Sequence, residues 1–304
     1  MTHDTLTIGI IDYLNVEPQY YRLQERLGKR GVAFRRAVPT ELNRALAEGE
    51  IDLAPISSIA SAAMADQVAI LPDLSIATLG AVKTVVLFSW MADPRELNDC
   101  HIALSDESAT SAELVKLLAQ HFWRIKPRYS TEPQDLSQML RRASAALLIG
   151  DGALVESAHH REVPGRGQPY AFDLGDEWLK WTGLPFVFAV WAARREALPM
   201  ISELEIVPAL YESKAEGLVH IPQIAQAYAP RLGLPVGVLT KYLYDLRYDL
   251  SAADLSGLLT YLTLALPDLD PDRMQRWHPD EGLRPLFQGI KPAAVVKEQA
   301  PHPA

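Results

Sequence analysis

Short apolar runs separated by polar turns pattern the first two thirds of the chain. Leu6–Ile11, Val32–Val38 and Ile51–Ile56 are compact apolar segments, the length and pattern of buried strands. Between them, Leu23 and Leu27 precede Gly28, and Leu42 and Leu46 precede Gly49, the four-residue spacing of one helix face. Pro18 fits the start of the first helix, Thr40 the N-cap of the second, and the two glycines their ends. Strand, helix, strand, helix, strand in so short a span predicts a parallel α/β unit.

A second alternating set follows. Val85–Phe88 and His101–Leu104 read as strands, with Pro94 opening the connection. Thr110–His121 places Leu114, Leu117 and Leu118 on one helix face, and Gln134–Arg142 reads as another helix. Ala145–Ile149 is a strand ending in Gly150-Asp151, and Phe186–Trp191 is a further apolar run. Beyond Pro199, the segments Ile206–Leu218, Ile221–Ala229, Leu239–Leu246 and Asp254–Leu266 read as helices without strands. The expected fold is α/β in two lobes: residues 1–92 begin lobe one, 93–188 form lobe two, and 189–304 return to lobe one and add C-terminal helices. Crossings are expected near Phe88–Asp93 and Phe186–Ala193. Ligands of such sheets bind beyond the carboxyl ends of the strands, often between domains.

At 304 residues the chain exceeds one ordinary core, which fits two lobes. Its net charge of −9, from 38 acidic and 29 basic residues, argues against a nucleic-acid surface. It does not disfavour a small anionic ligand, because backbone N–H groups can attract one locally. Cys100 is the sole cysteine, so no internal disulfide forms, as in reducing compartments. Met1–Ile11 lacks the features of a secretion signal, and no run reaches the roughly 18 apolar residues of a membrane span. The expected location is cytoplasmic, without membrane or nucleic-acid partners. The proline-containing stretch Lys291–Ala304 is expected to be a frayed tail.

Several chemistries lack their motifs. No P-loop, dinucleotide-binding glycine pattern, H-E-x-x-H or G-x-S-x-G is present. The adjacent His159-His160, beside Arg161, suit a solvated loop rather than a metal site, so neither metal nor cofactor is expected. Ser108-Ala109-Thr110-Ser111 precedes an amphipathic helix, and Thr110 with Glu113 matches a capping box. The segment reads first as a capped helix; the alternative is an anion site, since hydroxyls and free N–H groups gather there. Ser57-Ser58 at a strand end reads as an N-cap or as two hydroxyls for a ligand, Asp151 as an N-cap for the helix near Gly152 or as a base, and Asn15 as a turn residue or as an amide that donates and accepts. Trp178, Trp181 and Trp191 suit core packing or stacking on a planar ligand.

Taken together, these segments resemble one family. Tyr13-Leu14-Asn15 with Pro18 is similar to its Y-L-N-x-x-P signature. Leu42, Asn43, Gly49, Ile51-Asp52 and Pro55-Ile56-Ser57-Ser58 follow its next stretch. Ser108–Ser111, Leu148–Asp151 and Trp181–Trp191 extend the match, which runs from about Ile8 to Arg195. The family is chorismate dehydratase of the futalosine route to menaquinone. The resemblance implies a two-lobed, type-II periplasmic-binding-protein-like fold with chorismate between the lobes. It further implies loss of water to give 3-[(1-carboxyvinyl)oxy]benzoate. Asn15 takes the family's key asparagine and Thr84 a functional hydroxyl that is often serine; Asp12 replaces a more often neutral residue. Ser57, Ser58, Ser108, Ala109, Thr110, Ser111, Gly150 and Asp151 are the implied substrate contacts. If Thr84 faces the ligand, strand alternation turns Lys83 and Val85 away from it.

Chorismate carries two carboxylates, so its site needs anion-binding groups more than a metal. Removing the C3 proton and the 4-hydroxyl aromatises the ring. The base is left among Asp151, Glu17 and the substrate's own enolpyruvyl carboxylate, with the last preferred. A rival is 1,4-dihydroxy-6-naphthoate synthase, which carries histidine in an I-H-x-G segment where this chain has Ile149-Gly150-Asp151-Gly152. A solute-binding protein would be expected to carry a secretion signal or lipid-anchor cysteine, and a transcription regulator a DNA-binding helix pair.

Overall fold

A computed structural model describes residues 5–159, 163 and 166–293. His160, Arg161 and most of the expected tail lie outside the described residues.

The strands are β1 (Thr7–Ile11), β2 (Ala33–Ala37), β3 (Leu53–Ser57), β4 (Val68–Thr78), β5 (Val85–Ser89) and β6 (His101–Ser105). They continue as β7 (Arg128–Glu132), β8 (Ala145–Ile149), β9 (Tyr170–Asp173), β10 (Phe186–Arg194), β11 (Gln275–His278) and β12 (Gly282–Pro285). Two mixed sheets result, in the order β12-β11-β4-β10-β3-β1-β2 and β7-β6-β8-β5-β9. The opening unit is as the pattern predicts: β1 runs parallel to both β2 and β3. Its strands bury Ile8, Ile10, Leu53 and Ile56, and the helix Pro39–Ala47 buries Leu42 and Leu46.

The change of sheet comes earlier than the sequence divisions at 92/93 and 188/189. The strand β5 pairs with β8 and β9 in the five-stranded sheet, whereas β10 lies between β3 and β4 in the larger one. The chain therefore changes sheet between Thr78 and Val85, and again between Asp173 and Phe186. Segments that are apolar but for their last residue, such as β5 and β10, carry no face signal, so periodicity cannot assign them to a sheet.

Other local expectations are corrected by the backbone. Thr40 sits inside its helix, which begins at Pro39 after Val38. The cap of the helix Ala109–Leu117 is Ser108, whose hydroxyl accepts from Ser111 N–H, rather than Thr110. Asp151 lies within the helix Gly150–His159 instead of capping it. The C-terminal region is not strand-free, because β11 and β12 form a hairpin joined to β4. Trp178 and Trp191 are fully buried in the core. No helix among the described residues is long and apolar enough to cross a membrane.

Candidate active site

The cleft is built at strand ends. Ile11, Ser57 and Ile149 are the last residues of β1, β3 and β8, and all three line one cavity. Tyr13 and Asn15 reach it from the turn after β1, Ser108 and Ser111 from the start of the helix Ala109–Leu117, and Val82 and Thr84 from the connection into β5. Phe188 and Ala189 of β10 add an apolar wall. Both sheets thus contribute. The empty space is about 520 Å³ with the solvent at its open mouth included, so the enclosed part is smaller.

The lining contains no Lys, Arg, His, Asp or Glu among the described residues. Its polar groups are hydroxyls, one amide and backbone. Asn15 Oδ1 is buried and has no hydrogen-bond partner, which is costly unless a ligand supplies a donor. Thr84 Oγ1 accepts from the Tyr242 hydroxyl at 3.2 Å. Its own bond to Val82 O is 3.3 Å, long for a hydroxyl, so that proton is weakly held. Ser108 Oγ accepts from Ser111 N–H at 3.1 Å and meets Ser111 Oγ at 2.8 Å. The free N–H groups and positive dipole end of that helix favour an anion.

Six of the ten expected site residues line the cavity: Asn15, Thr84, Ser57, Ser108, Ser111 and Gly150. The other four stand elsewhere. Ser58 is fully buried and donates to Val187 O at 2.6 Å. Thr110 turns its hydroxyl to Ile59 N–H, joining the two serine-rich helix starts, and Ala109 is exposed. Asp151 accepts from Leu14 N–H at 2.9 Å and from Arg231 at 2.6 Å. It thereby holds the turn that carries Asn15, and faces a separate surface groove. Burial pushes its carboxyl above the ordinary range, offset by Leu14 N–H and Arg231. Asp12, given no role from sequence, pairs with Arg36 at 3.4 Å and Arg231 at 3.7 Å outside the lining.

Val85 lines the cavity beside Thr84, against the alternation expected from sequence. Lys83 has φ +62°, so Thr84 follows a left-handed turn, and regular alternation begins only at Val85. Lys83 does point away, pairing with Asp245 at 2.6 Å.

Sequence reasoning missed two features. Tyr13 donates its phenolic proton across the cleft to Glu107, which also accepts from Gln134 at 2.6 Å. Burial first, then Glu107, raises the Tyr13 phenol far above its usual range. The second is Asn43, bonded to Ser57; the sequence showed it within the family-like stretch and as an asparagine inside a helix, where it is a poor former, but neither signal gave it a role.

Gly150 is required by this geometry. Its φ is +68°, and a Cβ there would lie 2.6 Å from the Tyr13 ring. Gly150→Ala is expected to cost at least about 2 kcal/mol, combining left-handed strain with the clash. It should also displace the turn bearing Asn15. Thermal unfolding and turnover together check this; an unchanged melt would mean that neither the left-handed backbone nor the ring contact resists a side chain.

Comparison with known proteins gives concordant likenesses. A family model described as menaquinone biosynthesis matches residues 6–266. A chorismate dehydratase of Thermus thermophilus is 38% identical over 270 residues, covering 86% of this chain and 95% of the relative. A protein of Archaeoglobus fulgidus has a TM-score of 0.68 at 17% identity, covering 87% of this chain and 98% of its own. A Candida albicans protein described as having the generic periplasmic binding protein fold has a TM-score of 0.64 at 11% identity, covering 88% and 92%. The two structural likenesses show the fold alone.

Proposed function

The chain belongs to the menaquinone biosynthesis family, and on that premise we propose that its cleft dehydrates chorismate to 3-[(1-carboxyvinyl)oxy]benzoate. The enzyme is a hydro-lyase of the chorismate dehydratase type. The observation that carries the site reading is the buried, unpartnered Asn15 Oδ1 in a cavity lined by donors. The chorismate dianion has a single hydrogen-bond donor, its 4-hydroxyl, and Asn15 Oδ1 is the acceptor awaiting one. Its two carboxylates need donors, which Ser57, Ser111 and the helix start supply, while Ser108 gives its own proton to Ser111 Oγ.

The reaction can be followed atom by atom. The C3 proton passes to the enolpyruvyl carboxylate. The electrons of the C3–H bond form the new ring double bond to C4, and the C4–O bond breaks. The departing oxygen takes that proton back from the enolpyruvyl acid and leaves as water, so the carboxylate is restored and Thr84 keeps its own proton. Thr84 turns its weakly held proton toward that oxygen, and Asn15 keeps the hydroxyl aligned. Phe188, Ile149 and Val85 limit water around the ring, strengthening these contacts. The lobes are proposed to divide at the two changes of sheet, so that each supplies one side of the cleft.

The direct test is to mix the protein with chorismate and follow the aromatic enolpyruvyl product. Turnover is expected to survive exhaustive chelation without added nucleotide. Loss with EDTA, restored by a divalent ion, would overturn the metal-free reading. Formation of no product would overturn the assignment of substrate.

A further inference from the structure

Of the two adjacent serines at the end of β3, only Ser57 lines the cavity. Its neighbour has spent its proton on Val187 O. What decides the direction of the Ser57 proton is Asn43, half-buried on the helix Pro39–Ala47. Ser57 N–H donates to Asn43 Oδ1 at 3.0 Å, and Asn43 Nδ2 donates to Ser57 Oγ at 2.8 Å. A backbone N–H can only donate, so the amide oxygen must face it, and the amide nitrogen must then face the hydroxyl. Ser57 Oγ is thereby fixed as an acceptor toward Asn43. Its one proton is left over, and no hydrogen bond among the described residues takes it.

We infer that Asn43 is a positioning residue: it turns the Ser57 hydroxyl into a donor aimed at a substrate carboxylate. This rests on the dehydratase reading, and it specifies how that site holds an anion. The lining offers no cation, so a carboxylate must be held by oriented neutral donors. A freely rotating hydroxyl would pay part of its binding energy to become ordered. One already held by Asn43 does not.

Asn43→Asp is the discriminating variant. Its carboxylate still accepts from Ser57 N–H, so the turn keeps its backbone bond. The other oxygen now accepts from Ser57 Oγ, drawing the proton away from the cleft. The Michaelis constant for chorismate is expected to rise at least about tenfold with kcat within about threefold, the mark of lost ground-state binding. Ser57→Ala should raise it by a similar factor. Placed in the Ser57→Ala background, Asn43→Asp should add less than about threefold, because the two act as one unit. Calorimetric binding of 3-[(1-carboxyvinyl)oxy]benzoate gives the same comparison without turnover. Failure of the wild-type chain to dehydrate chorismate therefore counts against the function. Failure of Asn43→Asp to weaken product binding counts against this inference. An Asn43→Asp effect that persists undiminished in the double variant would mean through-space repulsion and overturn it. Unchanged affinity in Ser57→Ala alone would overturn it even if Asn43→Asp did not fold.

Discussion

Asn15→Ala is expected to lower kcat on chorismate by about 10²–10³, the scale of removing an oriented polar group at a reacting centre. Its stability should hold or rise. Asn15 Oδ1 is a buried acceptor without a partner, so deleting it removes a desolvated group and breaks no hydrogen bond to that oxygen in the free enzyme. A loss of activity paired with an undiminished melting temperature separates a site role from a folding role. An Ala variant that turns over chorismate normally would place the 4-hydroxyl against some other group. Thr84 behaves differently, because its hydroxyl also accepts from buried Tyr242. Thr84→Val should lose activity and also about 1–3 kcal/mol of stability, the cost of leaving that phenol unpaired. Thr84→Ser keeps the hydroxyl and should keep most of both.

A chorismate analogue whose enolpyruvyl carboxylate is masked as an amide should bind and not turn over. The prediction follows from where the protein's own carboxylates lie. Burial raises the carboxyls of both Glu17 and Asp151, the direction that suits a general base. Geometry decides against them. Neither lines the cavity, Glu17 accepts from the Tyr228 hydroxyl at 2.5 Å, and Asp151 is held by Leu14 N–H and Arg231. A base must first be within reach of its proton. Asp151→Asn and Glu17→Gln should therefore each retain kcat within about tenfold, with the acid limb of the pH–rate profile unmoved. The amide oxygen of Asn can still accept from Leu14 N–H, so the turn bearing Asn15 survives the exchange. Rapid turnover of the masked analogue, or loss of the acid limb in Asp151→Asn, would return the proton to the protein.

Much of this chain's architecture lies in local pattern. The spacing of Leu42 and Leu46 and the runs around Ile8–Ile10 and Leu53–Ile56 determine the opening parallel unit, because a buried stripe or face has a fixed period. The segments bearing Asn15, Ser57, Ser108 and Gly150 stand in the sequence at strand ends and helix starts, where ligands of such sheets gather. Tertiary structure decided which members of each segment face the ligand. Ser57 and Ser58 are indistinguishable as neighbours in sequence. They part company because Val187 O, on a strand far along the chain, takes one proton, while Asn43 sets the other. Asp151 leaves the site because Leu14 and Arg231 reach it from distant segments. Val85 joins it because a left-handed Lys83 resets the strand's alternation. Segment position follows from short-range periodicity. The direction of a polar side chain follows from partners that only long-range folding brings within hydrogen-bond reach.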